Sequence, residues 1–382
     1  MKKILVSMLF IIGSLSLTIG CGKKTERTMI ALPSTSNTST SQVTESSLPS
    51  NDTVVIPEIN EDLPPSEGMV RSPLTHEWVS AEIGMLRPLA VMVPNDVSAL
   101  PHYNLSNADI LYECLVEGNI TRLMAIYGDW ISLERVGNIR SCRDYFVYWA
   151  FEWDALYIHA GGPFYIDDVI NRSDTQNLDA LKSQEGVFYR TSDRSAPQNL
   201  YFDGINVYRE SERLGYPLIP RENYKQSPHF RFTPASEPNT LEQYPGSADA
   251  KVIYLKDAYP ITGTWFEYDE EKEIYYRFQN TSNGAHIDAA TGKQLSFKNI
   301  LIQFTYHEVR DAQGYLAFQC IDNTRDGWFF TNGKGIHINW EKSSDYGPTR
   351  YFDDYGNEIT LNTGKTMICI VQDGDTFSFK NK

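Results

Sequence analysis

Histidine and cysteine are scarce in this chain, with 7 and 5 residues in 382. No cysteines are spaced C-x-x-C and no histidine pair has metal-site spacing, which argues against zinc and thioredoxin-like centres. No Walker loop, G-x-S-x-G or H-E-x-x-H stretch occurs, so the common nucleotide, hydrolase and zinc-protease signatures are missing. Basic residues are also few: Lys and Arg number 34 against 49 Asp and Glu, a formal charge of −15. That balance excludes nucleic acid as a partner held by bulk charge, and a polybasic hold on an anionic membrane. No cofactor is expected, and no residue is assigned to a metal. A local arginine cluster remains as a way to hold an anion. Aromatics, at 13%, are too many for a wholly disordered chain.

The chain opens with a short basic stretch, Lys2 and Lys3, and a run of apolar or small residues from Ile4 to Ile19. The run is shorter than the ~20 residues a membrane span needs, so it reads as a signal peptide. It closes on Leu17-Thr18-Ile19-Gly20-Cys21, which resembles the bacterial lipoprotein signal, with Thr18 where Leu is commoner. The resemblance implies that Cys21 is lipidated and becomes the new N-terminus. The expected location is the cell membrane, lipid-anchored on its extracytoplasmic face. From Thr25 to Ser66 the chain is rich in Ser, Thr, Pro and Asn and nearly lacks aromatics. Such a segment cannot bury enough surface to fold. It reads as a tether with a root-mean-square reach of roughly 35 Å.

The next region mixes strand and helix patterns. Pro88 to Val93 reads as a buried strand ended by Pro94 and Asn95. Asp109 to Glu117 and Ile120 to Tyr127 read as a hairpin turning on Gly118-Asn119. If Glu117 pairs with Ile120, Leu115 lies opposite Arg122. Period-two alternation then places Arg122 on the face of Glu113 and Glu117, diagonally between them. Cys142 to Trp153 is apolar nearly all round and reads as a buried helix. Its entry carries Arg140 and Arg143, and cations there oppose the helix dipole unless an anion sits with them. Asp144 is the ordinary alternative compensation. Ala155 to Ile158 reads as a strand leading into His159-Ala160-Gly161-Gly162, where the glycine pair would leave room for a ligand. Arg190 and Arg194 add cations on a loop. The resulting candidate pocket comprises Asn95, Glu113, Glu117, Arg122, Arg140, Arg143, His159 and Arg194.

After about Ala250 short β-type runs alternate with turn signals such as Thr291-Gly292, Asn332-Gly333 and Thr363-Gly364. A small antiparallel barrel or sandwich is expected, joined through a Pro-containing connector over Ser227 to Gly246. The overall expectation is an α+β protein. Residues 1–20 are the signal peptide and 21–70 the lipidated cysteine and tether. Residues 71–226 form a mixed α/β domain with a central sheet, and 247–382 a mostly antiparallel β domain. Cys114, Cys142, Cys320 and Cys369 lie in apolar contexts and read as buried thiols, although disulfides are chemically allowed outside the cytoplasm.

Several stretches are similar, in order, to the DUF3048 family, the YerB-like bacterial lipoproteins. They are Arg87 to Asn95, Asn107 to Glu113, Val116 to Arg122, Asn138 to Arg143, Ile158 to Gly162, and Arg194 to Tyr201 with Gln198 where His is usual. The Ala250 to Val371 region resembles the family's C-terminal domain. The resemblance implies architecture and location, since the family has no established activity. A more distant likeness is to the LytR-CpsA-Psr domain. It lies in Asp109 at a strand start, a hairpin, Arg143-Asp144 opening a helix, and a strand into Gly161-Gly162. Members of that group move polymers from polyprenyl pyrophosphate to peptidoglycan with arginines and a divalent metal. Two functions follow. One is a surface lipoprotein that binds an anionic envelope ligand, or scaffolds cell-wall proteins, through the arginine-rich pocket. The alternative is a metal-assisted phosphotransferase acting on a polyprenyl-pyrophosphate-linked envelope polymer, which needs paired carboxylates from Asp109, Glu113, Glu117 and Asp144. Expected partners are the outer membrane face and a cell-wall polymer or envelope protein.

Overall fold

The computed structural model describes residues 62–182, 186–224, 228–281 and 284–382. The signal peptide, Cys21 and the tether as far as residue 61 lie outside the described residues. At Asp62 the chain already engages the fold: its carboxylate accepts from Arg71 Nη2 at 3.3 Å and from the Ser236 hydroxyl.

Eleven strands build the central sheet. In chain order they are β1 (Leu89–Pro94), β2 (Ile110–Leu115), β3 (Thr121–Tyr127), β4 (Leu156–His159) and β5 (Asn177–Asp179). They continue as β6 (Ala248–Asp249), β7 (Asn299–Thr305), β8 (Asp322–Thr331), β9 (Lys334–Lys342), β10 (Arg350–Phe352) and β11 (Thr366–Gln372). Their order across the sheet is β6-β9-β8-β7-β11-β2-β3-β1-β4-β5, with β10 beside β9. β1, β2 and β3 are buried along their whole length, because both faces of this part of the sheet are covered. A second, antiparallel sheet of five strands is built from Val252–Tyr254, Trp265–Asp269, Ile274–Phe278, Ser296–Phe297 and Ser378–Lys380.

The expected boundary near residues 227–246 does not separate two sheets. β11, from the C-terminal part, lies between β7 and β2 and is parallel to both, with Ile368 opposite Tyr112 and Leu301. A separate closed barrel or sandwich therefore does not form, although most pairings of the C-terminal strands are antiparallel as expected. The connector is also fastened down. Phe232–Thr233 pairs with Leu361–Asn362, and Asn239 donates to the Thr360 carbonyl at 2.8 Å.

Helix α1 (Asp144–Phe151) buries Tyr145, Phe146, Val147, Trp149, Ala150 and Phe151, as its uniformly apolar sequence requires. Helix α2 (Gly204–Arg213) begins where a side chain has no room. A Cβ on Gly204 would lie 1.9 Å from the Trp130 carbonyl oxygen. Cys114, Cys142, Cys320 and Cys369 are all buried free thiols. Burial pushes the Cys142 thiol up to about 12. Among the described residues no helix is long and apolar enough to cross a membrane.

Candidate anion-binding site

The β2–β3 hairpin decides the site. Its turn is a three-residue loop, Glu117–Asn119, with Gly118 and Asn119 both in the left-handed region. Val116 N–H donates to the Ile120 carbonyl at 2.9 Å, and Cys114, not Leu115, stands opposite Arg122. The pairing differs by one residue from the expected one, and such a slip turns side chains to the other face. Glu113 and Arg122 consequently lie on opposite faces of the sheet. Glu113 shares its face with Thr121 and Asn95, while Arg122 shares the other with Cys114 and Pro94.

On the Glu113 face the polar groups form a closed network. Glu113 Oε1 accepts from Asn95 Nδ2 at 3.0 Å, Thr121 Oγ1 at 2.8 Å and Thr264 Oγ1 at 2.9 Å. Its Oε2 accepts from Arg277 Nη2 at 2.9 Å, and both side chains are 0% exposed. Arg277 Nη1 also donates to Gln279 at 2.8 Å and to His286 Nδ1. Because a guanidinium only donates, His286 carries its proton on Nε2 and gives it to His102 Nδ1 at 2.8 Å. His102 Nε2–H then donates to the Pro94 carbonyl at 2.8 Å. Burial, reinforced by the nearby Arg277, holds both imidazoles neutral, with His102 pushed down to about 4 and His286 well below its ordinary value. Asn95 and Glu113 therefore do not border an arginine pocket with Arg122; they join the two parts of the chain.

On the opposite face three of the expected arginines do gather. Arg122 is 8% exposed; its Nη1 donates to the Ser141 carbonyl at 2.7 Å, and its Nε is buried without a partner. Among the described residues no carboxylate lies within ion-pair distance of it. Burial, then the neighbouring Arg143, push Arg122 down to about 10, which leaves it charged at neutral pH. Arg140 is half-buried and its side chain makes no hydrogen bond or ion pair among the described residues. Burial also lowers its pKa, against the pull of Asp96, with Arg190 repelling it. Arg143 grips Glu117 with Nε at 2.7 Å and with Nη2, and donates from Nη1 to the Cys142 carbonyl at 2.7 Å. The backbone holds this segment in place: Arg140 N–H donates to Met92 at 2.8 Å and Cys142 N–H to Gly161 at 2.9 Å.

The other expected members serve the scaffold. Arg194 donates to the carbonyls of Ser98, Leu100 and Pro101, each at 2.9 Å, and so pins that loop. His159 is buried between the Gly161 carbonyl at 2.9 Å and the Asn177 side chain at 3.2 Å. The Gly161-Gly162 pair does not leave room for a ligand. A Cβ on Gly161 would meet Leu181 Cδ1 at 2.7 Å, and one on Gly162 would meet Ile166 Cδ1 at 2.5 Å.

Residues absent from the expected set complete the rim. A hairpin of His307–Val309 and Leu316–Phe318 packs on the start of α1, with Phe318 4.9 Å from Tyr145 ring to ring. It brings Arg310 to Asp144, Asp311 to the Tyr165 hydroxyl, and Tyr315 to within 5.5 Å of the Arg143 guanidinium. Asp311 to Gly314 is a local turn signal for this hairpin, but nothing local shows that it covers α1. Arg277 carried no signal either: period two sets it with Tyr275, opposite the face of Ile274, Tyr276 and Phe278, and the sequence alone would turn that apolar face inward, whereas Arg277 is the side that is buried.

The carboxylates a metal-assisted transfer needs are dispersed. Glu113 is on the far face, Glu117 and Asp144 are held by arginines, and Asp109 accepts from Gly128 N–H at 2.7 Å. Burial pushes Asp109 up to about 6. Among the described residues no three His, Cys, Asp or Glu side chains gather to hold a metal.

Comparison with known proteins identifies the family and the fold. Residues 74–217 match the N-terminal domain, and residues 251–368 the C-terminal domain, of the DUF3048 proteins of unknown function. The chain is 29% identical over 293 residues to YerB of Bacillus subtilis strain 168, named as a candidate lipoprotein, covering 76% of this chain and 83% of that one. The crystal structure of the B. subtilis YerB protein superposes with a TM-score of 0.69 at 25% identity, covering 81% of this chain and 99% of the other.

Proposed function

This chain belongs to the DUF3048 family and carries both of its domains, and from that premise we propose a lipoprotein, anchored through Cys21 on the outer face of the cell membrane, that holds an anionic envelope ligand at Arg122, Arg140 and Arg143. The observation that carries the reading is Arg122. A buried cation is costly to desolvate, and natural structures compensate it with a carboxylate. Arg122 has instead a single carbonyl and an unpartnered Nε, beside a second arginine that has no partner among the described residues. A bound anion supplies the missing charge, and guanidinium forks suit phosphate or carboxylate oxygens. The ligand belongs to a cell-wall polymer or an envelope protein within reach of the tether.

Calorimetry on the full-length chain in detergent tests the site. Pyrophosphate is expected to bind the wild type, and Arg122→Gln to weaken it about tenfold, the loss of one charge-assisted contact. Unchanged affinity in Arg122→Gln would remove this residue from the site. The anchor has its own test. Cys21→Ala should abolish labelling by a palmitate analogue and release the protein from the membrane fraction; retention of both would exclude lipidation at Cys21.

A further inference from the structure

We propose that the arginine site takes a doubly charged phosphoryl group, a phosphomonoester or a terminal diphosphate, in preference to a carboxylate or a phosphodiester; this rests on the anion-binding reading above. The argument is the charge that the protein leaves unpaired. Arg143 is matched by Glu117 and Arg310 by Asp144. Arg122 and Arg140 have no carboxylate within ion-pair distance among the described residues. A third cation, Arg190, acts on Arg140 while its own guanidinium donates to the Asn199 side chain at 2.8 Å. Asp96 is the carboxylate that acts on Arg140. Three cations against one carboxylate leave two positive charges. A monoanion would satisfy one and leave the other repelled by its neighbours, a repulsion that water screens least at Arg122, which is 8% exposed.

The surrounding geometry suits the same group. The Ser141 carbonyl fixes the Arg122 guanidinium beside the start of α1, where the Tyr145 and Phe146 N–H groups already donate to the Asp144 carboxylate and the Arg143 carbonyl, so the guanidiniums are the donors an anion meets. Arg140 begins the extended segment Arg140 to Arg143, which is hydrogen-bonded to β1 on one side and to Gly161 on the other, and Arg122 reaches that segment from β3. Two guanidiniums carried on adjoining elements, β3 and this segment, can each donate to different oxygens of one tetrahedral phosphate, whereas a planar carboxylate fills a single fork.

The test compares one small dianion with two small monoanions on the full-length chain in detergent at pH 8. Methyl phosphate, a dianion there, should bind at least tenfold more tightly than dimethyl phosphate or acetate. Arg140→Gln, which removes no internal bond, should keep the wild-type melting temperature and shrink that preference to threefold or less. Equal affinity for methyl and dimethyl phosphate would overturn the doubly charged inference while the anion-binding reading stands. Binding of none of the three, with pyrophosphate also silent, would overturn both. Dihexanoyl phosphatidate below its micellar concentration separates two sources of the same chemistry. Affinity well above that of methyl phosphate supports a lipid headgroup, and equal affinity supports a water-soluble phosphate ester.

Discussion

Glu113→Ala is expected to lower the unfolding free energy by about 3–5 kcal/mol, the usual consequence of leaving one member of a buried ion pair without its partner. Arg277 would then keep its charge at 0% exposure with only Gln279, Thr264 and His286 around it. None of these supplies a countercharge, and His286 is held neutral. The same substitution deprives Thr121, Thr264 and Asn95 of their common acceptor. Arg277→Ala should cost a similar amount, because it strands the carboxylate. Replacing both residues by apolar ones of similar volume, Glu113→Leu with Arg277→Met, should recover only the part of the loss that comes from the stranded charge, because Asn95, Thr121 and Thr264 still lack their acceptor. Urea unfolding of the single and double variants measures all three. A loss below about 1 kcal/mol in both single variants would show that the pair does not hold the two parts of the chain together. A single cooperative transition is expected, because β11 and β2 share one sheet.

Arg143→Ala should weaken pyrophosphate binding about a hundredfold, more than removal of Arg122, because it changes the site twice. It deletes a guanidinium, and it leaves the Glu117 carboxylate free to repel the anion. The companion variants give the sign. Glu117→Gln alone should tighten binding several-fold, by freeing Arg143 and removing a negative charge. Arg143→Ala combined with Glu117→Gln should bind more tightly than Arg143→Ala alone. A double variant no better than the single would mean that Arg143 contributes contact alone and that Glu117 does not face the ligand. Stability should fall as well, by about 1–3 kcal/mol, since the pair is mostly buried, at 10% and 20% exposure of the two side chains, and Arg143→Ala leaves Glu117 without its donors.

Much of the scaffold was readable before any coordinates. The strands at Leu89–Pro94, Leu156–His159, Asn299–Thr305 and Thr366–Gln372 are short apolar runs bounded by turn residues, and α1 is a long apolar run behind a polar entry. These are local properties, set by burial and by the conformational limits of Gly, Pro and Asn. That Arg140 and Arg143 precede α1 was legible too, but Arg122 was placed beside them through a hairpin register that the structure does not adopt.

The hairpin register was not legible. β2 and β3 are buried on both faces, so neither has an alternating pattern to choose between pairings that differ by one residue. The three-residue turn made the choice and sent Glu113 away from Arg122. The partner of Glu113 is Arg277, 164 positions further along, and the rim residues Arg310 and Tyr315 are also remote in sequence from the helix they cover. Composition and local pattern determined which segments would be strand or helix, and that arginines would open α1. Only the tertiary structure decided which carboxylate neutralises which arginine, because that depends on the face each side chain takes and on β11 entering the sheet beside β2.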